Sequence, residues 1–277
     1  MNRRLRSIAI AGLLLLAGQQ ARCDMVAGSG AEADTASRVT THEWLYGVGR
    51  SNVLDTYLSP LEYTGPALGV SHRSERTARW GRGRVIVQGY FAGRGAYLRS
   101  AADNHKEWDA ELTAAVAWLR RWQPAAGWLL AAGGTGSLSG GFTYNTANGN
   151  NPAQGRLAAD IGLTALTQYG FRIGRVPLAL RSQAEAPMLG FMFSPRYGQS
   201  YYEIFSLGHS DRNVCLTHPF NAPSLRWTTT LRLRCLGATL SVGYMADIRQ
   251  SHVNNLKRHA WTHQFVVGYV RRLRLIR

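Results

Sequence analysis

The residues best equipped for chemistry fall in two polar stretches. One holds Ser200, Glu203, His209 and His218; the other holds Asn52, Asp55 and Thr56. Hydroxyl, carboxylate and imidazole are the ingredients of acyl transfer, in which an imidazole removes the proton of an attacking hydroxyl and a third group orients the ring. That chemistry needs the hydroxyl and the imidazole within about 3 Å of each other. Chain spacing does not impose such a distance. Packing, turns and aromatic anchoring explain the same residue types, so no catalytic residue is assigned.

Metal and nucleotide chemistry fare worse. His42-Glu43 begins like a zinc-protease motif, but Tyr46 stands where the second histidine belongs. His259 and His263 lie four apart, which on a strand separates them by about 13 Å, whereas zinc ligands sit within about 2.1 Å of the metal. The run from Gly134 to Ser139 (GTGSLS) lacks the third glycine of a dinucleotide fingerprint, and neither a phosphate loop nor a G-x-S-x-G elbow occurs. No metal and no cofactor is expected.

The elements that would position these groups have a clear period. In Trp108–Trp118 (WDAELTAAVAW), Trp108, Ala110, Leu112, Ala114, Val116 and Trp118 share one face, while Asp109 and Glu111 lie on the other. Successive side chains of a strand point to opposite faces. Ten residues at about 3.3 Å span roughly 33 Å, and a tilt of about 40° projects this to about 25 Å, the height of the apolar band of an outer-membrane barrel. An indole at each end suits the two lipid–water boundaries.

The same alternation recurs along the chain. Leu157, Ala159, Ile161, Leu163, Ala165, Thr167, Tyr169 and Phe171 oppose Arg156, Asp160, Thr164 and Gln168. Val176, Leu178, Leu180, Ala184 and Met188 oppose Arg181, Gln183 and Glu185, and Leu225, Trp227, Leu231 and Leu233 oppose Arg226, Arg232 and Arg234. Leu240, Val242, Tyr244 and Ile248 oppose Asp247 and Arg249, and Trp261, Phe265, Val267 and Tyr269 share a face near the C-terminus. The pattern predicts an all-β chain, an antiparallel transmembrane β-barrel over residues 41–277. At about 20 residues per strand and connection, it would have about twelve strands. The charged faces would point into the lumen, where buried charges must pair.

The N-terminus reads as an export signal. Arg3, Arg4 and Arg6 precede an apolar run with Leu13–Leu16, too short for a membrane helix, and small or polar residues lead to expected cleavage after Ala21. Residues 22–40 read as a flexible lead-in. The chain has 30 glycines, 45% apolar residues and a mean hydropathy near neutral at −0.19, as alternating faces require. Its formal charge is +16, and only Lys106 and Lys257 are lysines. Such a surface favours anions, which in an outer membrane means lipopolysaccharide phosphates; arginines dispersed through alternating strands argue against nucleic acid. Three cysteines exclude a disulfide framework. A Cys215–Cys235 bridge and lipidation of Cys23 stay open, although Arg22 is a poor fit to a lipoprotein site.

Four blocks carry a family resemblance: YGVGRSNVLDTYLSPLEYTG, GGFTYNTANGNNPAQ, MFSPRYGQSYYEIFSLG and VNNLKRHAWTHQFVVGYV. Together they resemble domain-of-unknown-function family 3316 of Bacteroidota-type Gram-negative bacteria, over about residues 40 to 275. The resemblance implies an exported envelope protein and supplies neither an activity nor functional residues. The expected function is a non-catalytic outer-membrane barrel. It would be a narrow pore passing ions or small molecules, or a structural barrel touching lipid and lipopolysaccharide, inserted by the barrel assembly machinery. The alternative is an acyl hydrolase acting on phospholipid or lipid A.

Overall fold

The computed structural model describes residues 39–149, 151–235 and 238–274. The expected signal peptide, most of the lead-in and Cys23 lie outside the described residues. The elements are β1 (Val39–Asp55), β2 (Ser59–Thr77), β3 (Val85–Ser100), β4 (Lys106–Trp122), β5 (Trp128–Asn145), β6 (Ala153–Ile173), β7 (Val176–Phe193), a short helix α1 (Tyr201–Phe205), β8 (Val214–Thr217), β9 (Ser224–Cys235), β10 (Ala238–Val253) and β11 (Leu256–Arg274). Each strand pairs antiparallel with its chain neighbour, except that β9 follows β7 in the wall and β8 adds to the end of β7. β1 pairs with β11 over its whole length and closes the barrel.

The wall therefore has ten strands and one accessory strand, not the twelve expected. Two physical reasons account for the difference. Strands such as β1, with 17 residues, and β6, with 21, continue well beyond the span needed to cross an apolar band of about 25 Å. Residues 194–223 also add no full wall strand: they contain α1 and the four-residue β8, which pairs only with the end of β7.

The alternation holds as read. Along β4, Trp108, Leu112, Val116 and Trp118 are exposed on the outside, whereas Asp109 is 1% exposed on the inside. Rings from neighbouring strands meet at both boundaries: Tyr97 with Trp108 at 4.6 Å between centroids, and Trp128 with Tyr169 at 4.7 Å. The parity fails twice, once at the end of β1, where the register shifts between Leu54 and Asp55, and once within the wall. Between Ile161 and Gly162 the β6–β7 register shifts, so Ile161 faces Leu189, Gly162 faces Pro187, and Met188 is the extra residue. Beyond Met188 the outward residues of β7 become Leu189 and Phe191 rather than the even-numbered ones.

One end of the barrel carries the described chain ends and the turns at 78–84, 123–127 and 174–175. The other, here the loop end, carries the connections at 56–58, 101–105, 146–149 with 151–152, 194–223 and 254–255. Apolar layers fill the interior near each end. Val53, Tyr63, Ala67, Ala96, Leu98 and Ala260 pack at the loop end; Ile86, Ala117, Leu119, Ala131 and Leu166 pack at the other.

Candidate functional site

Between the apolar layers the lumen is a lattice of paired charges. Inward positions of β4 bring Asp109 and Glu111 to the arginines of four other strands. Asp109 takes Arg94 at 2.7 Å, Arg156 at 2.8 Å and Arg258 at 3.3 Å, and accepts a hydrogen bond from Thr143 at 2.8 Å. Glu111 meets Arg94 at 3.2 Å and Arg249 at 3.3 Å, and Arg249 also holds Asp247 at 2.8 Å. Asp55 stands 3.7 Å from Arg258 and 3.8 Å from Arg156.

A second group lies toward the chain-end side. Arg232 donates from Nε and Nη2 to the two carboxylate oxygens of Glu43, at 3.1 and 2.7 Å, and Arg73 approaches the same carboxylate at 3.6 Å. Arg181 pairs with Glu75 at 2.7 Å, and Gln88 and Gln183 exchange amide hydrogen bonds beside them. Between the groups, Arg226 pairs with Glu185 at 3.0 Å and lies over the Tyr90 ring at 4.3 Å. Charges withdrawn from water must be matched in this way, because an unpartnered one costs several kcal/mol, roughly 3–5 when a pair is broken.

The lumen expectations hold in direction. Asp109, Glu111, Asp160, Arg181, Glu185, Arg226, Arg232, Arg234, Asp247 and Arg249 all lie at inward parity. Sequence reading missed Glu43, Arg73, Arg94 and Arg258 as members. Each sits at inward parity too, but β1 and β3 intersperse glycine and small residues on both faces, which hides the period.

The loop end is roofed by residues 194–213. The Tyr57 hydroxyl donates to the Gln199 carbonyl at 2.9 Å, and the Asn254 amide donates to the carbonyls of Ser194 and Arg212, both at 3.0 Å. The Gly155 N–H donates to the Tyr201 hydroxyl at 2.6 Å. Asn213, 2% exposed, ties the roof together through Ser194 and Gln199. Burial first, and then Tyr201 and nearby carboxylates, push the Tyr57 phenol up to about 12.

The acyl-transfer ingredients are dispersed by this fold. Ser200 is the N-cap of α1: its hydroxyl accepts from the Glu203 N–H at 3.2 Å and its own backbone N–H donates to the Glu203 carboxylate at 2.7 Å, a capping box, with a further hydrogen bond from the hydroxyl to that carboxylate at 3.0 Å. Those hydrogen bonds hold the Glu203 carboxyl below its usual range. His209 enters through its backbone, accepting from Gln199 at 2.7 Å, and the His218 ring accepts from the Phe220 N–H at 3.3 Å. Among the described residues no hydrogen bond joins Ser200 to an imidazole. In the other stretch, Asn52 does meet an imidazole: its amide oxygen lies 2.7 Å from His259 Nε2 and its nitrogen donates to Glu62 at 3.1 Å. Thr56 instead bonds the backbone of Lys257. Asp55 points into the lumen. Cys215 is a free thiol, so the Cys215–Cys235 bridge is not formed.

Comparison with known proteins places this architecture. The outer membrane protease OmpT from Escherichia coli aligns with a TM-score of 0.51 at 6% identity, covering 87% of this chain and all of that one. The transport unit of the autotransporter AIDA-I from Escherichia coli gives 0.41 at 9% identity over 94% and 97% of the two chains. An outer membrane channel from Pseudomonas putida F1 gives 0.36 at 10% identity over 89% and 100%. At such identities the first likeness establishes the fold, an outer-membrane-type closed barrel, and no activity. No curated protein matches the chain. The family of proteins of unknown function DUF3316 matches residues 8–277, and the chain belongs to it.

Proposed function

We propose that this protein is a non-conducting outer-membrane barrel whose filled lumen braces a roofed outer face, exported by a signal peptide cleaved after Ala21. The observation that supports this reading is burial. Carboxylates lining a water-filled channel stay accessible to solvent, yet Asp109 is 1% and Glu43 2% exposed. Barrels of about eight strands have an interior that side chains can fill, and ten is close to that regime. The loop end faces outward, since the longer connections of such barrels are extracellular.

Lipid contact follows from the outer surface. Arg79, Arg82, Arg84, Arg120, Arg172, Arg175 and Arg271 are exposed around the chain-end side, with Arg120 over the Trp122 ring at 6.0 Å. No acidic residue lies in the turns at 78–84, 123–127 or 174–175. This girdle suits phosphate headgroups of the inner leaflet. Contact with lipopolysaccharide at the loop end would rest on Arg99, Arg196 and Arg212. Planar-bilayer recording tests the plug: the native chain gives no steady conductance, and Arg232→Glu, which breaks the pairing with Glu43, gives noisy openings. Steady conductance by the native chain would overturn the reading.

The hydrolase alternative keeps one supporting observation, the imidazole of His259 held by Asn52 and Glu62 on the outer face. A phospholipid and lipid A release assay with His259→Ala and Ser200→Ala decides it. Activity lost with His259→Ala and kept with Ser200→Ala would favour it over the plugged barrel.

A further inference from the structure

Among the described residues the wall of the barrel is breached where β7 changes partner from β9 to β8. β7 bonds to β9 from Leu178 to Glu185 and to β8 from Gly190 to Phe193. Between them, Ala186–Leu189 have β6 on one side and, among the described strands, none on the other. The facing edge is incomplete as well. β9 begins at Ser224, opposite Arg249 of β10, so Gln250–Val253 continue past the last β9 partner, with His252 donating to the Asn221 carbonyl at 2.7 Å.

The sequence around the breach keeps it open. Pro187 has no N–H to offer a neighbouring strand, which confines proline to edges and bulges of a sheet. It is seated by Gly162, where a Cβ would lie 2.4 Å from the Ala186 carbonyl oxygen. The extra residue Met188 bends the strand there.

A cavity of about 80 Å³ runs through this breach. Its lining includes residues from both faces of the wall: outward Leu157 and Leu189, inward Asp160 and Arg258, with Met188 and Ala222 at the mouth. The outward members belong to the lipid-facing belt, below Phe191. The inner end is polar and incompletely satisfied. Asp160 has no ion-pair partner within 4 Å among the described residues and accepts only from Thr217, at 3.4 Å. Arg258, which also lines the cavity, is committed to Asp55 at 3.7 Å and Asp109 at 3.3 Å, which leaves Asp160 as the free acceptor. The roof over residues 194–213 and the apolar layer near Leu119 close the two ends of the barrel, so the side is the way in.

We propose that this breach is a lateral portal that admits a small alkyl alcohol, or an alkyl chain bearing a hydroxyl, from the outer leaflet. The alkyl body lies against Leu157, Met188, Leu189 and Ala222, and the hydroxyl donates to Asp160. The inference rests on the barrel lying in the outer membrane, but not on the plug, because a portal needs no path across the membrane.

The test uses the full chain in phospholipid vesicles with a photoreactive diazirine analogue of octanol. The expected result is adducts on Asp160 and Met192, lost when excess octanol is present, beside uncompeted adducts on belt residues such as Leu112. Ala222→Trp, or Ser251→Trp if the first does not reach the heat-modifiable folded form, fills the mouth and removes the lumen adducts alone. Labelling confined to the belt, labelling that octanol does not compete, or lumen adducts that survive both tryptophans would each overturn the portal. A barrel that conducts ions yet shows the competed adducts would reject the plug and keep the portal.

Discussion

Two carboxylates on the inner face, Asp109 on β4 and Asp160 on β6, live under different rules. Asp109 stands behind a wall paired without interruption to β3 and β5, and it gathers three guanidiniums and a hydroxyl. Asp160 stands beside the gap in the β7 wall and has one long hydrogen bond, from Thr217. A carboxylate sealed from solvent has to be matched inside the protein, whereas one at a breach keeps access to small polar molecules. Closure of the wall, more than position in the lumen, sets how much charge pairing each residue needs.

The sharpest way to break this contrast is Asp109→Ala. It leaves Arg94 with Glu111 alone and Arg156 and Arg258 sharing only the more distant Asp55, and a loss of about 3–5 kcal/mol is expected from urea unfolding followed by heat-modifiable gel migration. A loss no larger than that of Asp160→Ala would end the comparison. Gly190→Ala comes next. Its Cβ would lie 2.1 Å from the Asp160 carboxylate and 2.5 Å from the Ala159 carbonyl oxygen, so the wall must give. Overpacking of this kind costs about 1–3 kcal/mol, with the change confined by hydrogen exchange to β6 and β7. Ser200→Ala removes the cap of α1 and should cost about 1 kcal/mol, seen as faster exchange in the roof and unchanged exchange in β4. Asp160→Ala is the small one, expected within about 0.5 kcal/mol of the native chain because no ion pair is broken.

The roof adds a dependence on pH that the lumen does not share. The folded chain holds the Tyr57 phenol near 12, while an unfolded tyrosine titrates near 10. Between these values the unfolded state releases a proton that the folded state retains, so the contribution is intact below about pH 10 and lost as pH rises toward 12. Tyr57→Phe should flatten that fall in stability. An unchanged slope between pH 10 and 12 would show that the roof does not enclose this hydroxyl.

Much of this was legible in the chain because a barrel wall is a local pattern. Period two in Trp108–Trp118 fixes which residues face lipid and which face the lumen, wherever the strand sits in the circle. The charge list from Asp109 to Arg249 followed from parity alone. The strand number did not, because residues 194–223 carry turn chemistry that fits either two more strands or a covered crossing. The role of Ser200 was illegible for a related reason. Ser200 and Glu203 are three apart in both a capping box and a catalytic guess, and only the backbone geometry at Ser200 separates them.

The sequence by itself determined an alternating, lipid-facing wall with a charged interior, since side-chain direction in a strand depends only on position along it. The tertiary structure alone decided which arginine meets which carboxylate, that ten strands close the circle, and that the wall opens beside Pro187. Those depend on register between strands far apart in the chain, as in Asp109 meeting Arg258 across 149 residues. No local pattern encodes the stagger at which a sheet closes on itself.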